Sequence, residues 1–217
     1  MKWSEHARRQ IEPIYNEIIT HPFITELTDG SLNKEQFIFY IRQDALYLAE
    51  YAKILAAIAA KLDDTQQRNH FLNFSRDTIA VENALHGSYL HHMNKALYFQ
   101  PSPTCLLYTS YHHKQVANAP VEVAVASVLP CFRVYKEVGD HILARQKDVD
   151  NPYKDWIETY GGAEYAQAVN YALEIGNALA EQSTEKVREQ MTEAFMMATR
   201  MEWMFWDSAW RLEQWQV

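Results

Sequence analysis

The chain has 217 residues, 48% of them hydrophobic and 22% charged, with a formal net charge of −8, which fits one large globular domain over residues 1–217. Its longest basic touch is Arg8-Arg9, too little to neutralise phosphates, so nucleic acids and anionic membranes are disfavoured as partners. No apolar run reaches the length of a membrane span, Met1-Lys2-Trp3-Ser4-Glu5-His6 lacks the apolar segment of a secretory leader, and two cysteines make no disulfide framework; a reduced, cytoplasmic protein is expected.

Only 6 Gly and 7 Pro punctuate the chain, which favours long helices over a sheet with many tight turns. Ser4 is the expected cap of a first helix that runs to His21-Pro22 and is kinked or split at Pro13. Asp29-Gly30-Ser31 reads as a turn, and Asn33 with Gln36 as a capping box opening a helix to about Lys61. Asp63-Asp64 open the next helix, to about Met93. Pro101-Ser102-Pro103-Thr104 start another that ends near Asn118-Ala119-Pro120, and Val121 begins a helical pattern to about Gln146. Asp148 to Pro152 reads as a loop and Gly161-Gly162 as a sharp break; Ser183 is the expected cap of a last helix reaching Leu212. The fold class is therefore all-α, a compact bundle of seven to eight helices with no convincing strand.

Polar groups on apolar helical stripes mark the candidate chemistry, because residues three, four and seven apart share a face. Asp44 lies in the middle of Phe37, Tyr40, Ile41, Tyr47, Leu48 and Tyr51. Glu202 shares a face with Phe205, Trp206 and Ala209. Each acid is either a paired structural group or a functional one; a Glu among aromatics should titrate high and serve as a general acid near neutral pH. Cys131 shares a face with Ala124, Val128, Val134, Tyr135 and Val138, next to Pro130, whose missing N–H and bend could open a pocket beside the thiol. A free buried cysteine is most often a small hydrophobe, so packing and nucleophile both remain open for Cys131 on this pattern. Tyr108, Tyr135 and Tyr160 offer ring faces and hydroxyls suited to a flat heteroaromatic ligand.

No nucleotide-binding glycine loop, no G-x-S-x-G elbow and no C-x-x-C is present. Glu17/His21, Glu82/His86 and Glu137/His141 are spaced i, i+4, the di-iron Glu-x-x-His spacing never occurs, and the His91-His92 and His112-His113 pairs point apart on a helix. Surface or satisfied core histidines are expected, with no metal and no cofactor.

The pieces also come in a particular order: Arg42-Gln43-Asp44-Ala45-Leu46-Tyr47-Leu48, Pro101-Ser102-Pro103-Thr104 leading to Tyr108-Thr109-Ser110, Leu129-Pro130-Cys131, Tyr135-Lys136-Glu137-Val138-Gly139, Thr159-Tyr160-Gly161-Gly162, and Glu202-Trp203-Met204-Phe205-Trp206. With His21-Pro22-Phe23 and Ser183-Thr184-Glu185, this order resembles the TenA family, also called thiaminase II, over essentially the whole chain. The resemblance implies a haem-oxygenase-like fold without haem, usually a homotetramer, and hydrolysis of 4-amino-5-aminomethyl-2-methylpyrimidine, or of thiamin, to hydroxymethylpyrimidine in thiamin salvage. It also implies the cysteine-containing branch, with Cys131 as nucleophile and Glu202 as proton donor to the ring. Asp44 would accept from the 4-amino group, Tyr108, Tyr135 and Tyr160 would orient ring and leaving group, and Tyr47 and Phe205 would line the ring faces. Cys105 lies outside the nucleophile motif and reads as packing. The alternatives are a non-catalytic pyrimidine-binding regulatory protein and a metal-dependent oxidase on the same fold.

Overall fold

The computed structural model describes residues 1–89, 100–145 and 151–217, and the side chains of all of these except 81–89, 161 and 164. Among the described residues the chain forms ten helices: α1 (Trp3–Gln10), α2 (Glu12–Ile19), α3 (Pro22–Asp29), α4 (Lys34–Ala59), α5 (Thr65–Tyr89), α6 (Pro103–Asn118), α7 (Val121–Leu143), α8 (Lys154–Gly161), α9 (Ala163–Gln182) and α10 (Glu185–Trp210). The all-α expectation holds, and the valine-rich stretch from Val121 is helical. The number of helices is higher than seven to eight for local reasons. The segment expected as one kinked helix divides at Ile11, just ahead of Pro13, and His21-Pro22 begins a helix of its own. Gly162, in extended backbone, separates α8 from α9. The expected extension of α5 to Met93, of α7 to Gln146, and the start of the Asp148 loop lie outside the described residues.

The expected caps need correction. Lys2, not Ser4, is the N-cap of α1; Ser4 is buried and its backbone N–H donates to Asn177 Oδ1 at 2.8 Å. Ser183 ends α9, and Thr184 caps α10 by accepting from the Val187 N–H. Asn33 does cap α4, through the Glu35 N–H, but Gln36 does not reach back; its amide instead donates to the Trp210 carbonyl at 2.6 Å. That bond satisfies a carbonyl left open at the end of α10 and ties it to the start of α4. Gly30 ends α3 with φ 74°, a left-handed conformation that a side chain would strain.

α7 and α10 pack along each other through the middle of the molecule, α4 pairs with α5, and α6, α8 and α9 close around α7. The fully buried Trp156, Trp206, Tyr40, Tyr108, Phe71 and Phe195 fill the space between them. The start of α6 is pinned from two directions. Gln43 of α4 accepts from the Ser102 N–H at 2.8 Å, and the C-terminal Glu213 accepts from both Thr104 N–H (2.9 Å) and Thr104 Oγ1 (3.0 Å). A carboxylate there satisfies open N–H groups and meets the positive end of the helix dipole. The register of α6, and so the position of Tyr108, is thereby set from α4 and the C-terminal segment. Among the described residues no helix is long and apolar enough to cross a membrane.

Candidate active site

Four of the expected residues open onto one cavity of about 600 Å³ between α4, α5, α7, α8 and α9: Asp44, Cys131, Tyr135 and Tyr160. Leu48, Phe74 and Phe132 supply much of its apolar wall. Its walls come from helices far apart in sequence, each presenting the stripe that its period dictates. α8 and the first turn of α9, on either side of the Gly162 break, bring Thr159, Tyr160 and Tyr165 to one side.

Glu202, Tyr47, Tyr108 and Phe205 are not part of that wall; they stand behind it as a buried aromatic cluster. Tyr108 donates to Glu202 Oε1 at 2.6 Å. The Tyr47 ring lies 4.9 Å from that of Tyr108 and 5.7 Å from that of Phe205. Tyr51, which lines the cavity, stacks on Tyr47 at 5.3 Å and so joins the cluster to the cavity. Deeper still, Tyr40 donates to Tyr135 Oη at 3.1 Å, which fixes the Tyr135 ring from below.

Sequence reasoning missed Tyr165. Its hydroxyl donates to the carbonyls of Cys131 (3.0 Å) and Phe132 (3.2 Å), and its ring meets Tyr160 edge-on at 5.4 Å. Tyr51 makes a matching bond to the Val128 carbonyl at 2.8 Å. Pro130 sits within α7, so the helix around the thiol lacks one backbone donor, and these two tyrosines bond carbonyls on either side of it. The only hint in the sequence was a tyrosine three residues after Gly162.

The electrostatics are governed by burial. Glu202 is 1% exposed and its carboxyl is raised to about 8, chiefly by desolvation and further by the charge of Asp44, with the Tyr108 hydrogen bond pulling the other way. It is therefore protonated at neutral pH. Asp44, 2% exposed, adds its charge to the same field. The Cys131 thiol is pushed well above its ordinary value, chiefly by desolvation and further by the nearby carboxyl of Glu202. The resting site is thus a neutral thiol beside a neutral carboxylic acid. Cys105 is elsewhere, its sulfur directed at the Gln43 carbonyl at 3.6 Å.

The histidines considered for metal binding have other duties. His21 Nδ1 accepts from the Phe23 N–H and its Nε2 lies 3.5 Å from Asp207, while Glu137 is bonded to Arg8 (2.6 Å) and Arg133 (2.7 Å). The Glu82 and His86 side chains and the His91-His92 pair lie outside the described residues.

The model of the TENA/THI-4/PQQC family matches residues 8–212. The chain belongs to this family. It is 34% identical over 220 residues to an aminopyrimidine aminohydrolase of Bacillus subtilis strain 168, covering 99% of this chain and 92% of that one. Among solved structures, a TenA homologue from P. horikoshii OT3 superposes with a TM-score of 0.84 at 25% identity, covering 97% of this chain and 99% of that one. A domain with a haem-oxygenase-like fold from Shewanella denitrificans OS217 superposes with a TM-score of 0.77 at 16% identity, covering 98% and 93%. The all-helical bundle is thus of the haem-oxygenase-like type.

Proposed function

We propose that this chain is an aminopyrimidine aminohydrolase of the thiaminase II kind, a hydrolase acting on the C–N bond between a pyrimidine's exocyclic methylene and its leaving amine. The observation that carries the reading is a single cavity onto which Asp44, Cys131, Tyr135 and Tyr160 open, backed by a protonated Glu202, in a chain 34% identical over nearly its whole length to an enzyme of that name. The cavity is large enough for 4-amino-5-aminomethyl-2-methylpyrimidine.

Direct displacement at the methylene is slow, so the reaction is divided. As the sulfur of Cys131 adds to a ring carbon its proton passes to the leaving amine, and the electron pair of the attacked bond moves to a ring nitrogen that takes the proton of Glu202. Tyr108 occupies Oε1 of that carboxyl, leaving Oε2 to carry the proton. With aromaticity broken, the exocyclic C–N bond breaks and the amine departs with its electron pair. Water adds to the exposed methylene, giving the hydroxymethyl product and releasing a proton that returns to the sulfur as it leaves, while the ring nitrogen returns its proton to Glu202. Asp44 accepts from the 4-amino group and holds the ring in register; Tyr135 and Tyr160 orient ring and leaving group from the cavity wall, and Tyr47 and Phe205 back the ring faces. A homotetrameric, cytoplasmic enzyme working without cofactor completes the proposal.

The test is turnover by the purified protein, with no added metal or cofactor, of the aminomethylpyrimidine and of thiamin side by side. Hydroxymethylpyrimidine formation is expected, with release of ammonia from the first and of the thiazole from the second. Tight pyrimidine binding with no hydrolysis of either would replace this reading with that of a regulatory binding protein.

A further inference from the structure

The end of α10 makes a turn that the helix alone does not require. Leu212 has φ 50°, and among the described residues it is the one non-glycine residue with a positive φ. A bulky side chain is strained in this left-handed region, where glycine is the usual occupant. The Leu212 N–H bonds the Ala209 carbonyl at 3.2 Å and the Glu213 N–H bonds the Ser208 carbonyl at 2.9 Å, which closes the helix and turns the chain. The half-buried Glu213 is thereby aimed at the first turn of α6, where it accepts from Thr104 N–H (2.9 Å) and Thr104 Oγ1 (3.0 Å). Two residues on, Trp215 Nε1 donates to the Pro101 carbonyl at 3.0 Å. A strained residue persists only where its surroundings hold it, and these side-chain contacts all fall on the start of α6.

The same two helices meet again at the site. Tyr108 lies four residues after Thr104, on the same face of α6, and donates to Glu202 Oε1 of α10 at 2.6 Å. α6 and α10 are thus joined by two rungs, Thr104–Glu213 at their ends and Tyr108–Glu202 behind the cavity. A hydroxyl–carboxyl bond weakens steeply as it lengthens or bends, so a tilt of α6 that opens the first rung loosens the second. Asp44 and Tyr47 of α4, Cys131 and Tyr135 of α7 and Tyr165 of α9 also share the field of Glu202. Of these neighbours and Tyr108, only Tyr108 lies on the helix that Glu213 caps.

We propose that Glu213 is a positioning residue for the proton donor: by capping α6 from the Leu212 turn, it keeps the Tyr108 hydroxyl seated on Glu202. The inference rests on reading Glu202 as that donor. Burial and the charge of Asp44 raise the Glu202 carboxyl to about 8, and the Tyr108 bond pulls it down, because a donated hydrogen bond favours the charged form. A looser Tyr108 therefore moves the titration of Glu202 up. Removing the negative charge of Glu213 would by itself move it down, so the two effects differ in sign.

Titration of the Glu202 carboxyl in the full-length protein tests this, followed by the infrared band of its protonated form and assigned by the loss of that band in Glu202→Gln. In Glu213→Ala the midpoint should rise by about half a pH unit or more, and the alkaline limb of kcat/KM for the aminomethylpyrimidine should rise with it. Tyr108→Phe should raise the midpoint at least as far, and Glu213→Ala should add nothing to it, because both act through one bond. A lower Tm with an unchanged midpoint, a midpoint that falls, or shifts that add in the double variant would overturn the proposal. If Glu213→Ala does not stay folded, Leu212 decides. Leu212→Gly keeps the left-handed turn and should titrate as wild type, while Leu212→Val disfavours that turn and should titrate higher. Equal midpoints in these two variants would overturn the proposal. Because the titration involves no pyrimidine, a wild-type protein that hydrolyses none would sink the proposed function while these midpoints still judge the clamp.

Discussion

Cys105 and Cys131 are both buried thiols on helical stripes, 1% and 9% exposed, and burial raises the pKa of both, Cys105 to about 12. Their surroundings differ in what lies beyond the sulfur. Around Cys105 there is a backbone carbonyl, that of Gln43, and close packing. Around Cys131 there are a cavity shared with Tyr51, Tyr135 and Tyr160 and, acting from behind it, the carboxylic acid of Glu202. Desolvation alone makes a thiol inert. A buried thiol becomes useful when a ligand has room to reach it, and Cys131 opens onto a cavity.

Cys131→Ser tests the comparison hardest. Serine keeps the shape and loses the nucleophilicity, so kcat should fall at least about a hundredfold, roughly 2.7 kcal/mol of barrier, while the product pyrimidine still binds. A variant keeping more than about a tenth of wild-type kcat, a loss under about 1.4 kcal/mol, would make the two cysteines equivalent and end the nucleophile reading.

Glu202→Gln separates the acid from the thiol it serves. A loss of about a hundredfold in kcat is expected, the lower part of the range for general acid catalysis. The proton donor must be protonated, so wild-type kcat/KM should fall as pH rises past about 8, and that alkaline limb should flatten in the variant. The same shift acts on stability. Between about 4.5 and about 8 the unfolded carboxyl ionises while the folded one keeps its proton, so this group's contribution grows less favourable as pH rises through that window. The difference in Tm between Glu202→Gln and wild type should therefore move in favour of the variant from pH 5 to pH 8. A constant difference would mean that Glu202 titrates as an ordinary glutamate.

Asp44→Ala removes the proposed anchor of the 4-amino group. A cost of about 1–3 kcal/mol is expected in kcat/KM, together with weaker discrimination against an analogue lacking that amino group. Unchanged discrimination in a folded variant would assign Asp44 to the architecture of α4. The smallest effect is expected from Cys105→Ala: turnover within about twofold of wild type and a stability loss of about 1 kcal/mol, the scale of one small buried group. A large loss of turnover would mean that the inert region feeds the reactive one through Gln43 and the start of α6.

Much of this was present in the order and period of the residues. The stripes that hold Asp44, Cys131 and Glu202 are legible because burial repeats with the helical period, and a charged or reactive group interrupting such a stripe must be accounted for somewhere. The division at Pro13 and the break at Gly161-Gly162 are legible for the same local reason. The capping pattern misled at Ser4, Ser183 and Gln36, where a neighbouring residue or a distant carbonyl was the better partner.

What only the tertiary structure decided is which stripes face one another and what each polar atom meets there. That Tyr165 and Tyr51 bond carbonyls on either side of Pro130, that Glu213 caps α6, and that Tyr47 bonds His112 follow from helix crossings, not from spacing within a helix. His112 shows the limit most clearly. It is one of the histidines expected as surface or satisfied core groups, and it is fully buried. Its ring partners, Tyr47 Oη and Ser127 Oγ, lie on two other helices. Desolvation and hydrogen bonding are sums over every neighbour within a few ångströms, and those neighbours are assembled only when the chain has folded.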